Sequence, residues 1–315
     1  MMMHIYGQLG MRHFLPTAAV CRSWRDVAEA KLSQWRVLSL STVVDANIGL
    51  RGPDSVNLMP DGRSLCIADN GNDRLLVISP DGGQVLRTVR LEGSLGSLKF
   101  HTGIAANEDA FFVIDNNAHC VRKLRLKDGA PVARVGKMGH EDGNLAFPEG
   151  LALLGGRMYV ADGGNNRICV FDTDMRFCFS FGQRGSVPGK LNGPVGLAPD
   201  DENSQLFVAD SSNHRLAVFS EKGKFRRCIG SKGSAPGCFM DPCGIALAHG
   251  NVYVAEYQGR RIQVLTPLGE PLQILFLPGK SMLAGICATP YRMYVADPSS
   301  NVLHVLEVNW RFRNS

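Results

Sequence analysis

Six stretches of this chain share one rhythm of apolar and polar positions. Each is a short apolar run closed by an acid: Ser64-Leu-Cys-Ile-Ala-Asp69, Ala110-Phe-Phe-Val-Ile-Asp115, Arg157-Met-Tyr-Val-Ala-Asp162, Gln205-Leu-Phe-Val-Ala-Asp210, Asn251-Val-Tyr-Val-Ala-Glu256 and Arg292-Met-Tyr-Val-Ala-Asp297. Such runs, rich in β-branched and aromatic residues, read as short strands. The closing acids fall 46, 47, 48, 46 and 41 residues apart. A fixed period in the forties built from short strands predicts propeller blades and argues against a helical solenoid.

Each unit repeats an inner order. A short strand containing a small residue comes first, as in Pro148-Glu-Gly-Leu-Ala152, Pro194-Val-Gly-Leu-Ala198 and Pro242-Cys-Gly-Ile-Ala246. The acid-ended strand follows, then a polar turn such as Gly71-Asn-Asp73, Gly164-Asn-Asn166 or Ser212-Asn-His214. These turns suit residues that tolerate left-handed backbone. An alternating strand comes third (Arg167-Ile-Cys-Val-Phe171, Arg215-Leu-Ala-Val-Phe219, Arg261-Ile-Gln-Val-Leu265), a fourth strand next, and a Gly-rich link leads onward. Four antiparallel strands per unit make one blade. For closure, Arg36–Ser41 is expected to supply the outer strand of the last blade, removing two open sheet edges. Trp310-Arg-Phe-Arg313 is the alternative source.

An arginine stands five residues after the acid in four units: Asp69/Arg74, Asp162/Arg167, Asp210/Arg215 and Glu256/Arg261. In the second unit this position is Cys120, with Arg122 two residues on; in the sixth it is Val302. Acid and base flank one turn on adjacent strands, which predicts structural ion pairs. A ring of acids gripping a metal or substrate is the competing reading, weakened because each acid has its own neutralising neighbour.

The pattern D-x-x-N-x-R-[IL]-x-V-[FL] after a Y-V-A strand resembles the NHL repeat, over residues 48 to 308, with units two and six degenerate. The resemblance implies a mostly β, six-bladed propeller. It also implies a binding platform for proteins or single-stranded RNA, as in tripartite-motif ubiquitin ligases and their relatives. Some similar propellers are instead lyases or lactonases with a metal in the central channel.

Residues 1–35 differ in character. Val20, Trp24, Val27 and Ala28 fall at i, i+4, i+7 and i+8, one face of a helix. The run Ala18-Ala-Val-Cys-Arg-Ser-Trp-Arg25 resembles an F-box, although the opening Leu-Pro and part of the first helix of that motif are missing. The resemblance implies a short α-helical segment over 1–35, preceding a propeller over 36–315. It also implies docking to the adaptor subunit of an SCF-type ubiquitin ligase through Ile5, Leu9, Phe14, Leu15, Val20 and Trp24. A segment that merely packs Trp24 and its neighbours against the propeller is the alternative.

Composition narrows the chemistry. The formal net charge is +5, which permits anionic partners without demanding them. The nine cysteines are scattered, with no paired spacing, so they read as small buried hydrophobes in a reducing compartment. Neither a signal peptide nor an apolar run long enough to span a membrane is evident, which places the chain in the cytoplasm, or alternatively the nucleus. H-E-x-x-H, G-x-S-x-G and the phosphate-loop signature are all missing from the sequence. The first strands of the units read as Gly, Leu, Ile and Ala, leaving no expected metal set in the channel. No cofactor and no catalysis are expected.

One propeller face should carry the acid-to-Arg turns and the inter-blade links. Its candidate partner-binding residues are Asn72, Lys137, Asn166, Arg184, Lys190, His214, Lys232 and Arg260. The opposite face is richer in acids, such as Asp61, Asp128, Asp201 and Glu270, so an acidic partner should meet the first face. The leading expectation is therefore a non-catalytic scaffold that recognises a protein target for an SCF-type ligase. An RNA-binding propeller comes second, and a channel-site metal-dependent lyase or hydrolase third.

Overall fold

The computed structural model describes residues 36–44, 48–81, 84–90, 103–278, 281–289 and 291–310. They form six four-stranded antiparallel sheets. Blade three shows how the sequence builds each one. Its strands are Pro148–Leu154, Arg157–Asp162, Arg167–Asp172 and Phe177–Phe181, running from the axis outward. In a strand successive side chains point to opposite faces. Met158 and Val160 accordingly join an apolar cluster with blade two, while Tyr159 and Ala161 join one with blade four. Both faces are covered by neighbours, so the run is apolar without alternation.

Six such clusters fill the six seams between consecutive blades, including the seam between blades six and one. There Tyr294, Ala296, Leu303 and Val305 pack against Val56, Leu65, Ile67 and Leu76. Arg36–Val44 pairs antiparallel with Val302–Trp310 as the outer strand of the sixth blade, in a register running from Arg36 opposite Trp310 to Val44 opposite Leu303. A bulge between Leu40 and Thr42 interrupts it. Trp310 thus ends the third strand and not the outer one. The helical, F-box-like segment expected over residues 1–35 lies outside the described residues.

The axis explains the recurrent small residue. A side chain at Gly196 would place its Cβ 1.8 Å from the Cys243 carbonyl oxygen of the next blade, and one at Gly150 would sit 2.1 Å from the Val195 carbonyl oxygen. At these two positions the blade backbones converge too closely for any Cβ. Gly196→Ala should therefore lower stability by at least about 1–3 kcal/mol. Chemical denaturation checks this, and an unchanged midpoint would contradict the close approach.

Candidate functional site

The acid ending each second strand is buried and gathers donors from three directions. In blade three the Asp162 carboxylate accepts from the Ala146 amide at 2.6 Å, from Asn165 Nδ2 at 2.8 Å and from Arg167 Nε at 2.8 Å. Arg167 also donates to the carbonyls of Glu141 and Asn144, both at 3.0 Å. The carboxylate, asparagine and arginine thereby fasten the preceding link onto the blade. The same set recurs at Asp69 with Arg74 (2.6 Å) and at Asp210 with Arg215 (2.7 Å); at Glu256 the link amide and Arg261 (2.7 Å) remain, and Gln263 Nε2 donates at 2.7 Å where the others have the turn asparagine.

The two degenerate units solve the problem from another position. Arg122 pairs with buried Asp115, and His304 lies 3.2 Å from Asp297. Both stand seven residues after their acid, two beyond the usual arginine and on the same face of the strand. Period-2 alternation was the signal that could have identified His304. Burial raises the Asp297 pKa, but hydrogen bonds from His304, Ser299, Ser281 and Ser300 outweigh it and hold the carboxyl well below its ordinary range.

A second motif links neighbouring blades. The residue after each polar turn adopts left-handed backbone: Asp73, His119, Asn166, His214, Arg260 and Asn301, with φ between 50° and 59°. Four of these side chains reach the amide before the next first strand. His119 Nδ1 accepts from Phe147 N at 3.0 Å, Asn166 Oδ1 from Gly193 N at 2.9 Å, His214 Nδ1 from Asp241 N at 3.2 Å, and Asn301 Oδ1 from Gly52 N at 2.7 Å. The last of these crosses the seam between blades six and one.

These contacts redistribute the predicted partner-binding residues. Asn72 is engaged by Asp69 and the Gly49 carbonyl, and Asn166 and His214 serve as inter-blade latches. Lys137, Arg184, Lys232 and Arg260 are exposed on the rim, and Lys190 is half-buried there. Three consecutive links share one form, closed by parallel bridges between Met138 and Leu145, Arg184 and Leu191, and Lys232 and Phe239. Beside the cations they expose Met138, Phe147 and Val187, and Tyr257 joins them from blade five. Sequence reasoning missed this apolar component, because single hydrophobic residues in loops carry no periodic signal. The six predicted adaptor-contact residues, from Ile5 to Trp24, lie outside the described residues.

The channel corrects one expectation. Its first strands are not purely small and apolar: Asp54 and Glu149 line the cavity. Burial pushes Asp54 up to about 7 against a hydrogen bond from Asn70. Burial and then the Asp54 charge push Glu149 to about 7, opposed by Asn116. Among the described residues no group of three or more His, Cys, Asp or Glu side chains is placed to hold a metal ion. No helix among them is long and apolar enough to cross a membrane.

A family model for the NHL repeat matches residues 145–171. Blade three carries an NHL repeat. A second model, described as a 6-bladed beta-propeller, matches residues 200–264. The chain is 44% identical over 71 residues to RING finger protein nhl-1 of Caenorhabditis elegans, a stretch covering 22% of this chain and 7% of that protein. It is 33% identical over 114 residues to Protein lin-41 of the same organism, covering 32% and 10%. The matched stretches are thus a small part of both relatives. Among solved structures, a catalytically inactive virginiamycin B lyase from Staphylococcus aureus with quinupristin superposes with a TM-score of 0.62 at 14% identity, covering 87% of this chain and 100% of that one. The Cps50 (Swd1) propeller of Myceliophteria thermophila gives 0.59 at 11%, covering 87% and 100%. At such identities these likenesses concern the fold alone.

Within the NHL repeat of blade three, Asp162→Ala should cost about 3–5 kcal/mol, because it strands the Arg167 guanidinium and the link amide. A double-mutant cycle with Arg167→Ala checks it, and a coupling under about 1 kcal/mol would mark the pair as an ordinary surface bridge.

The channel carboxyls set a pH dependence of opposite sign to that of Asp297. Their ordinary pKa values are 3.8 and 4.5, and folding raises both. Between about pH 4 and 7 the folded chain holds protons that the unfolded chain has released, so their contribution to stability falls as pH rises through that window. The Asp297 contribution is instead lost only at acid pH, below the ordinary carboxylate range. Melting temperature followed from pH 5 to 8 should decline less in Asp54→Asn than in the parent.

Proposed function

We propose that this propeller is a non-catalytic protein-interaction scaffold that captures its target on the rim carrying the three matching links. The observation that supports the reading is the band formed by Lys137, Arg184 and Lys232 with Met138, Phe147 and Val187, all exposed. Cations supply orientation and encounter rate, and exposed apolar side chains supply the anchors that dominate interface energies. The acids that end the second strands are sealed beneath the rim, with no exposed surface at Asp69, Asp162, Asp210 or Glu256. In its fullest form, the reading makes the chain the substrate-recognition subunit of an SCF-type ubiquitin ligase in the cytoplasm. Residues 1–35 then dock the adaptor.

Affinity capture with the full chain tests both levels. Arg184→Glu with Lys232→Glu should abolish recovery of the target while leaving the melting temperature unchanged. Trp24→Ala should release the cullin complex but keep the target. Undiminished target capture by the double charge reversal would refute the rim as the binding surface.

Single-stranded RNA is a second reading, favoured by the exposed Phe147 and Tyr257 standing among cations, an arrangement on which bases stack. Affinity that falls steeply with salt would support it, and salt-insensitive binding would exclude it.

A further inference from the structure

The central channel has a feature that neither the fold nor the rim requires. We propose that it is a receptor for a small organic cation with an apolar tail, the ammonium group seated between Asp54 and Glu149. The cavity measures about 770 Å³, within the roughly 300–1,000 Å³ of small-molecule sites. Its lining includes Val56, Leu58, Leu151, Leu197 and Ile245, apolar walls suited to an alkyl body.

The repeat supplies its own control. The residue directly before the axial glycine is Glu149 in blade three, but Val195 in blade four, Cys243 in blade five and Ala284 in blade six. In blade one Asp54 holds the corresponding place, with Ser55 where the glycine would be. Closure of the ring therefore needs no carboxylate at this level. A half-buried carboxyl with no counter-ion among the described residues is costly, and the fold gains nothing from it. Among the described residues the lining contains no lysine, arginine or histidine, although the chain as a whole is basic.

The neighbours of these two groups are amides. Asn70 bonds Asp54 and keeps its own buried Oδ1 unpartnered, and Asn116 reaches Glu149 at 3.5 Å. The other titratable groups on the described lining are Asp201, Asp241, Tyr257, Cys243 and Cys287. Asp241 belongs to the His214 latch, its Oδ1 lying 3.0 Å from the Nδ1 that accepts the Asp241 amide, and burial pushes the Cys243 thiol up to about 12, so the thiol stays neutral. An entering ammonium meets Asp54 and Glu149, with Asp201 and Asp241 elsewhere on the lining, and no competing base among the described residues. A hard divalent metal would want six or more oxygen ligands and gain nothing from the apolar walls. An alkylammonium uses both ends of the cavity.

Titration calorimetry of the full chain with n-hexylammonium tests this, with n-hexanol, n-hexanoate and calcium chloride as comparison ligands. Saturable one-to-one binding of n-hexylammonium alone is expected, tighter at pH 8 than at pH 5.5 because a cation binds the ionised carboxyls. The isosteric variant Asp54→Asn/Glu149→Gln should remain folded, with an equal or higher melting temperature, and lose at least about tenfold in affinity. The rim variant Arg184→Glu/Lys232→Glu should bind n-hexylammonium as the parent does, so the outcome stands apart from that of target capture. Equal affinity in the Asn/Gln variant, equal binding of n-hexanol or n-hexanoate, preferential binding of calcium, or no saturable binding at all would each overturn the proposal.

Discussion

A buried carboxylate that must be satisfied organises each blade. Once the acid at the end of the second strand is taken out of water, it needs several donors in fixed places. Asp162 obtains them from a link amide, a turn asparagine and an arginine across the turn. Loop, turn and two strands are tied at one point as a result. The arginine then spends its remaining donors on link carbonyls, which would otherwise be left without partners. The rim's geometry follows from this. Its loops are held from beneath, so the side chains they display face solvent from a rigid base.

Seams between blades obey a related constraint at the next level. A sheet buried on both faces is stable only if a neighbour covers each face, so the ring must close. Apolar clusters do most of this, with directional contacts at both rims. In four blades the left-handed residue after the turn latches the following blade on one rim. On the other, Tyr159 donates to the Glu221 carbonyl at 2.7 Å and Tyr294 to the Pro80 carbonyl at 2.6 Å. The seam between blades six and one uses both devices, Asn301 with Gly52 and Tyr294 with Pro80. It is thus built like the others, although its two sides come from opposite ends of the chain.

Departures from the repeat carry the individuality of the protein. Where Arg122 and His304 replace the usual arginine, the buried acid is still met, so those changes preserve structure. Where Asp54 and Glu149 replace small or apolar residues, no matching base appears among the described residues. The first kind of departure is compensated and the second is not, which separates variation that maintains the fold from variation pointing toward a ligand.

The six-fold repeat, the four-strand order and the pairing of acid with arginine were legible from the amino-acid order, because each is a local pattern with a fixed period. Tertiary structure decided three things. Alternation puts His304 on the right face of its strand, but it answers Asp297 because the pairing of two strands brings the two side chains together. His119, Asn166 and His214 act as latches, their acceptors turned toward amides some 27 or 28 residues ahead in the next blade. Asp54 and Glu149, 95 positions apart in the chain, share one channel only once the blades converge on a common axis. Period and polarity specify what a strand is. Which side chains meet across an axis depends on ring closure, and that is a property of the whole chain.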